Sequence, residues 1–120
     1  MQKMIVKKPW GTYEVLLDEP NYKVKRIVVP PYERFSLQYH KHREEHWVVV
    51  EGDGIVQVNE KEYPAYVRTH WVILPTQKHR ATAGPNGLVF IETQTGDCRE
   101  EDIVRLEDDY GRLDSSEVSV

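Results

Sequence analysis

The sequence predicts an all-β domain in which short antiparallel strands form a sandwich or a barrel. Apolar residues recur with period two along most of the chain, and no convincing run keeps helical spacing. The intervals carry turn chemistry: Pro30-Pro31, Gly52-Asp53-Gly54, Asn59-Glu60-Lys61-Glu62 and Gly84-Pro85-Asn86-Gly87. Short strands parted by such turns favour closed or two-layered β architectures.

The expected strands are residues 11–17, 22–29, 35–42, 45–51, 54–58, 71–74 and 88–94. The first two lie on either side of Asp18-Glu19-Pro20-Asn21, and Pro30-Pro31 closes the second. Segment 35–42 sets Ser36, Gln38, His40 and His42 on one face, which is unusually polar for a strand. Segments 45–51 and 88–94 are apolar on both faces, as in Trp47-Val48-Val49-Val50 and Leu88-Val89-Phe90-Ile91. A small barrel needs only its inner face apolar, so the outer face predicts a second layer, most simply another subunit, and a homodimer is expected. Segment 71–74 is an apolar run that ends at Pro75. The one candidate helix, residues 99–106, is weakened by the β-branched pair Ile103-Val104. One domain over residues 1–112 is expected, with 113–120 a frayed tail.

A chain of 120 residues suffices for one domain with a real core. A net charge of −4 disfavours a nucleic-acid binder, and no apolar run approaches the roughly 20 residues of a membrane span. A single cysteine, Cys98, and no long apolar leader point to a reducing, cytoplasmic setting. Charge is uneven: residues 97–110 hold seven acidic against two basic side chains, whereas Lys23-Val24-Lys25-Arg26 is locally positive.

Chemistry concentrates in one stretch. Spaced by two on a strand, His40 and His42 aim two imidazoles at one point, and a tight turn at Arg43-Glu44 brings Glu45 alongside. His79, 34 residues beyond Glu45, follows the strand ending at Pro75 and completes a candidate four-ligand set. Two neutral imidazoles and a carboxylate suit a divalent transition metal, zinc first, with manganese, iron, cobalt or nickel compatible. His46 is the rival to Glu45, since a one-residue shift at the turn exchanges their faces. His70 is expected at a strand edge without a ligand role, Cys98 as a small apolar side chain, and Trp10, Trp47 and Trp71 in the core or an interface.

The His-x-His…Glu-x6-Gly element, followed by a strand, Pro and His, resembles the two motifs of the cupin superfamily. A narrower similarity, to the type II phosphomannose isomerase cupin, runs through Lys8-Pro9-Trp10-Gly11-Thr12-Tyr13, Ser36-Leu37-Gln38, Glu45-His46-Trp47, Lys78-His79-Arg80 and Asp108-Asp109-Tyr110-Gly111-Arg112. The resemblance implies a small double-stranded β-helix, the cupin jelly roll, and a metal-dependent isomerase that interconverts mannose 6-phosphate and fructose 6-phosphate. That family usually joins the cupin to a guanylyltransferase. No glycine-rich nucleotide-binding segment precedes Trp10, so guanylyltransferase activity is not expected here, and a separate guanylyltransferase protein is left open as a partner. The chain departs from the family at Pro31-Tyr32, in the shorter loop from Pro75 to His79, and over residues 96–102.

An aldose–ketose isomerase must move a proton between adjacent carbons, so a base and a stabiliser of oxygen charge are both needed. Glu92, in phase with Leu88, Phe90 and Gln94, is either that base or an exposed strand carboxylate. Gln38 is a candidate to hold a substrate hydroxyl or to act as an outer ligand. Lys25, Arg34, Lys78 and Arg80 are the candidate phosphate donors. Two other functions fit the residues: a cupin that binds a sugar phosphate or sugar nucleotide without converting it, and a metal-dependent dioxygenase.

Overall fold

The computed structural model describes residues 4–113. Nine strands run through them: β1 (Met4–Lys8), β2 (Gly11–Glu19), β3 (Tyr22–Val29), β4 (Leu37–Tyr39), β5 (Arg43–Val58), β6 (Lys61–Tyr66), β7 (His70–Ile73), β8 (His79–Gly96) and β9 (Val104–Glu107). Every pairing is antiparallel, and no α-helix occurs among the described residues.

Strand β8 is the spine. Its second half lies between β3 (Tyr22↔Thr95 to Val29↔Leu88) and the first half of β5 (Arg43↔Gly96 onward). Its first half pairs with the end of β5 (Gly54↔Ala83 to Val58↔His79) and with β4 at Gln38↔His79. Because β5 and β8 run through both halves, the sheet curls over one interior. Trp47, Phe90, Phe35 and Trp10 stack there, with ring centroids 4.5 Å apart for Trp47–Phe90 and 5.2 Å for Trp10–Phe35. Alternation along β5 is clean: Arg43, Glu45, Trp47 and Val49 are buried, whereas His46, Val48 and Val50 are exposed.

The expected segments 45–51 and 54–58 are one strand. Gly52-Asp53-Gly54 bends it instead of reversing it, because Gly52 takes φ +80° and the backbone of Gly87 passes so close that a Cβ would meet its carbonyl oxygen at 2.1 Å. Opposite that bend, residues 84–87 bulge out of β8 between Ala83 and Leu88, so the expected turn there is an irregularity within a strand. The expected 59–62 turn narrows to Asn59-Glu60, with Asn59 at φ 54°. No helix forms over 99–106. Residues from Val104 instead pair with β4 (Leu37↔Glu107, Tyr39↔Val104), which the β-branched pair there favours. Of the expected tail, residues 114–120 lie outside the described residues.

Candidate metal centre

His40 follows β4, Glu45 sits near the start of β5 and His79 opens β8, and these three converge. One ligand atom from each lies within 4.8 Å of the others, and all three side chains are buried. His40 Nε2 is 3.3 Å from Glu45 Oε2, and His79 Nε2 is 3.7 Å from Glu45 Oε1.

Each imidazole is fixed from behind. His40 Nδ1 donates to the Asp102 carbonyl, and His79 Nδ1 donates to the Gln77 carbonyl at 2.9 Å. A carbonyl only accepts, so both Nδ1 atoms carry the proton and both Nε2 lone pairs face Glu45. Burial pushes the His40 imidazole down to about 4 and shifts His79 the same way, so both are neutral at pH 7, as ligands must be. Glu45 is 1% exposed. Burial opposes its ionisation, but the neighbouring His40, His79 and Arg43 outweigh it and hold the carboxyl well below the usual range.

The set fits a divalent ion on one further observation: His79 Nε2 is buried and has no hydrogen-bond partner. Two imidazole nitrogens and a carboxylate form a donor set that divalent transition metals accept. A competitor is also present. The buried Arg43 guanidinium donates through Nε to Glu45 Oε2 at 2.9 Å and lies, through Nη2, 3.0 Å from His40 Nε2, so an ion and this cation contend for the same lone pairs.

Of the other expected ligands, His42 is exposed and does not join the group. Strand β4 ends at Tyr39 and the chain bends through Lys41 and His42, where the Asp102 carboxylate accepts both backbone N–H groups at 3.0 and 2.8 Å. That capped bend breaks the alternation assumed for 35–42 and turns His42 outward. Gln38 lies closer to the centre: its amide nitrogen is 3.4 Å from His40 Nε2, and Ser36 Oγ is 2.6 Å from its amide oxygen. His46 faces out and pairs with Glu44 at 2.6 Å. His70 is exposed at the first position of β7, Cys98 is buried, Trp10 and Trp47 are core and Trp71 is half-buried.

Beside His40 opens a cleft lined in part by Gln38, Trp47, Glu92 and Lys25. Glu92 is buried, unlike an ordinary strand carboxylate. The Trp47 indole N–H bridges Glu45 Oε1 (3.0 Å) and Glu92 Oε1 (3.1 Å), and Gln94 Nε2 donates to Glu92 Oε2 at 2.6 Å. Burial and then the charge of Glu45 push the Glu92 carboxyl up to about 8.

The four candidate phosphate donors divide. Lys25 lines the cleft, with Nζ 4.0 Å from the Tyr13 ring centroid. Arg34 is bound to Asp109 (2.7 and 2.9 Å), Lys78 to Glu60 (2.5 Å), and Arg80 to the Phe35 carbonyl (2.9 Å) and Glu107 (3.2 Å). None of these three lines the cleft. Instead Lys8, Arg43, Arg105 and Arg112 line it. Arg43 was legible, since it shares the two-residue frame of Glu45 and Trp47. Lys8 and Arg105 come from the end strands β1 and β9 and Arg112 from the segment after β9, and none left a local signal.

Residues 1–108 match the family described as mannose-6-phosphate isomerase C-terminal. The chain is 37% identical over 108 residues to a mannose-1-phosphate guanylyltransferase of Klebsiella pneumoniae, covering 88% of this chain and 23% of that protein. It is 41% identical over 109 residues to the alginate biosynthesis protein AlgA of Pseudomonas aeruginosa, covering 89% and 23%. The chain therefore spans about a quarter of the length of these relatives. Among solved structures it resembles an RmlC-like cupin from Shewanella frigidimarina (TM-score 0.75, 22% identity, 83% of this chain and 88% of that one). It also resembles Streptomyces PAC13 solved with uridine (TM-score 0.77, 17% identity, 88% and 86%). At those identities the likeness concerns the fold. The match over residues 1–108 places the chain in the mannose-6-phosphate isomerase C-terminal family, and its fold is that of the RmlC-like cupin it resembles.

Proposed function

We propose that this chain is a metal-dependent aldose–ketose isomerase that interconverts mannose 6-phosphate and fructose 6-phosphate and so supplies nucleotide-sugar and polysaccharide synthesis. The observation that carries this reading is the buried His40–Glu45–His79 group, of which His40 lines a cleft that Glu92 also lines. Family membership and the name of the alginate-biosynthesis relative agree with it.

His40, Glu45 and His79 would hold the ion through Nε2, a carboxylate oxygen and Nε2, with the Gln38 amide as an outer donor; zinc suits this set best. The ion would supply Lewis-acid stabilisation of the negative charge that develops on the substrate oxygens. The remaining chemistry belongs to the chain. In its ionised form, the minor one at neutral pH because burial and Glu45 push its carboxyl up, Glu92 accepts the proton from C2 of the open-chain aldose and returns it to C1, while a hydroxyl proton passes from O2 to O1, so no atom or electron is gained. Trp47 and Gln94 hold that carboxyl in place through the hydrogen bonds already described. Gln38, one strand position from the core residue Leu37, faces the cleft and orients a sugar hydroxyl.

Elemental analysis of protein purified without added metal, followed by a coupled assay with mannose 6-phosphate, tests the reading. Glu92→Gln is expected to lower kcat at least ~100-fold and to retain the metal. Wild-type protein that holds metal and shows no turnover would refute isomerase activity. A second reading, a module that binds a sugar phosphate without converting it, draws support from Arg43, which already compensates Glu45 and His40. It predicts thermal stabilisation by mannose 6-phosphate without turnover. The exposed apolar outer residues Val48, Val72 and Leu74 support the expected homodimer, which light scattering checks.

A further inference from the structure

The cleft wall is far more cationic than the chain. Five basic side chains line it (Lys8, Lys25, Arg43, Arg105 and Arg112) against two carboxylates, Glu92 and Glu100, in a protein whose net charge is −4. Arg43 is committed to Glu45 at the base of the cleft. The other four surround the mouth, drawn from β1, β3, β9 and the segment after β9. Their charges act on one another: burial lowers the Lys8 ammonium, Glu100 opposes that, and Arg105, Arg112 and Lys25 lower it further. One of the four is held from outside the cleft and another against its wall. Asp108, which does not line the cleft, grips Arg112 through both carboxylate oxygens at 2.9 Å, and Lys25 Nζ lies over the Tyr13 ring.

One anion already occupies this ring. Glu100, in the segment between β8 and β9, places Oε2 2.6 Å from Lys25 Nζ and 3.5 Å from Lys23 Nζ, although its side chain is 46% exposed. The segment is tied at both ends, by Asp97 N to the His42 carbonyl and by the Asp102 carboxylate to the bend at Lys41–His42. Glu100 therefore reaches the lysines from a loop whose backbone is held at Cys98, Arg99 and Asp102, so that only its half-exposed side chain need swing away.

We propose that the cleft mouth is a seat for a phosphomonoester dianion built by Lys8, Lys25, Arg105 and Arg112, and that Glu100 is its resident occupant, displaced from Lys25 when the anion binds. The seat follows from the charges of the wall; only its use as the anchor of a sugar 6-phosphate rests on the isomerase reading. Such a latch favours dianions over weaker anions, since an incoming group must outbid a carboxylate already in place. Glu100 also shields the lysines from one another while the cleft is empty.

Calorimetric titration of the full chain with inorganic phosphate, at fixed ionic strength, tests both parts. Removing an exposed ion pair changes equilibria modestly, so Glu100→Gln is expected to tighten phosphate binding about fivefold. Lys8→Met, which lies outside the His40–Glu45–His79 group, is expected to weaken it about tenfold through loss of one charge-assisted contact. Lys78→Met removes an equal charge outside the cleft and is expected to leave binding unchanged. Unaltered or weaker binding in Glu100→Gln overturns the latch. Equal losses in Lys8→Met and Lys78→Met overturn the seat, whose effect would then be one of net charge. Turnover enters neither outcome, so a working seat in a protein without isomerase activity would refute the isomerase alone. Circular dichroism of each variant separates these results from misfolding, and Arg105→Lys, which keeps the charge, is expected to retain most of the affinity.

Discussion

Trp47→Phe removes a single hydrogen-bond donor that two buried carboxylates share. The indole N–H lies 3.0 Å from Glu45 Oε1 and 3.1 Å from Glu92 Oε1, and Trp47 is 1% exposed, so water does not replace it. After the change Glu45 keeps Arg43 Nε and Glu92 keeps Gln94 Nε2. Losing a bond to the ionised Glu45 costs about 2 kcal/mol, and losing one to the largely protonated Glu92 about 1 kcal/mol. The smaller ring adds about 1 kcal/mol of lost packing against Phe90 and Phe35, so the total is about 4 kcal/mol, a large share of a small domain's stability. Urea unfolding of the metal-free protein, followed by circular dichroism, measures it. Repeating the substitution in a Glu92→Gln background isolates the Glu92 part, expected at about 1 kcal/mol of coupling. A total loss below about 1 kcal/mol would show that the indole does not hold the two carboxylates, and the account of how Glu92 is positioned would fail.

Further consequences concern the metal, the bend and the alkaline limit. His79→Ala is expected to reduce metal affinity more than ~100-fold, whereas His42→Ala keeps wild-type stoichiometry by elemental analysis; loss of metal in His42→Ala would contradict the capped bend. Gly52→Ala puts a Cβ 2.1 Å from the Gly87 carbonyl oxygen at φ +80°, and is expected to cost more than about 3 kcal/mol, read as a collapse of Tm. Burial, then Glu100 and Glu92, push the Tyr13 hydroxyl up to about 12, above its unfolded value. Its contribution is complete below pH 10 and is lost as pH rises from about 10 to 12, so Tyr13→Phe is expected to lessen the alkaline decline in stability seen by circular dichroism. An unchanged alkaline limb would refute that assignment.

The strands over residues 45–51 and 88–94 were readable from the chain alone, because an inward face of a curled sheet must be apolar or hold paired polar groups, and that requirement is local. It favoured Glu45 over His46 as the inward residue and placed Glu92 in phase with Phe90, whereas His79, expected in a loop, proves to open the long strand that runs on to Gly96. The class of the fold followed from the same pattern. Three features depended on residues far apart in sequence. His42 leaves the metal group because Asp102, 60 residues away, caps the bend that follows β4. Gly52 bends a strand instead of ending it because the Gly87 backbone passes against it. The cationic mouth gathers Lys8, Lys25, Arg105 and Arg112 from separate strands and a terminal segment, where each by itself reads as a solvated surface charge. Periodicity records which way a side chain points relative to its own strand; which strands become neighbours is decided only when the sheet closes, and there the choice among lone lysines and arginines was made.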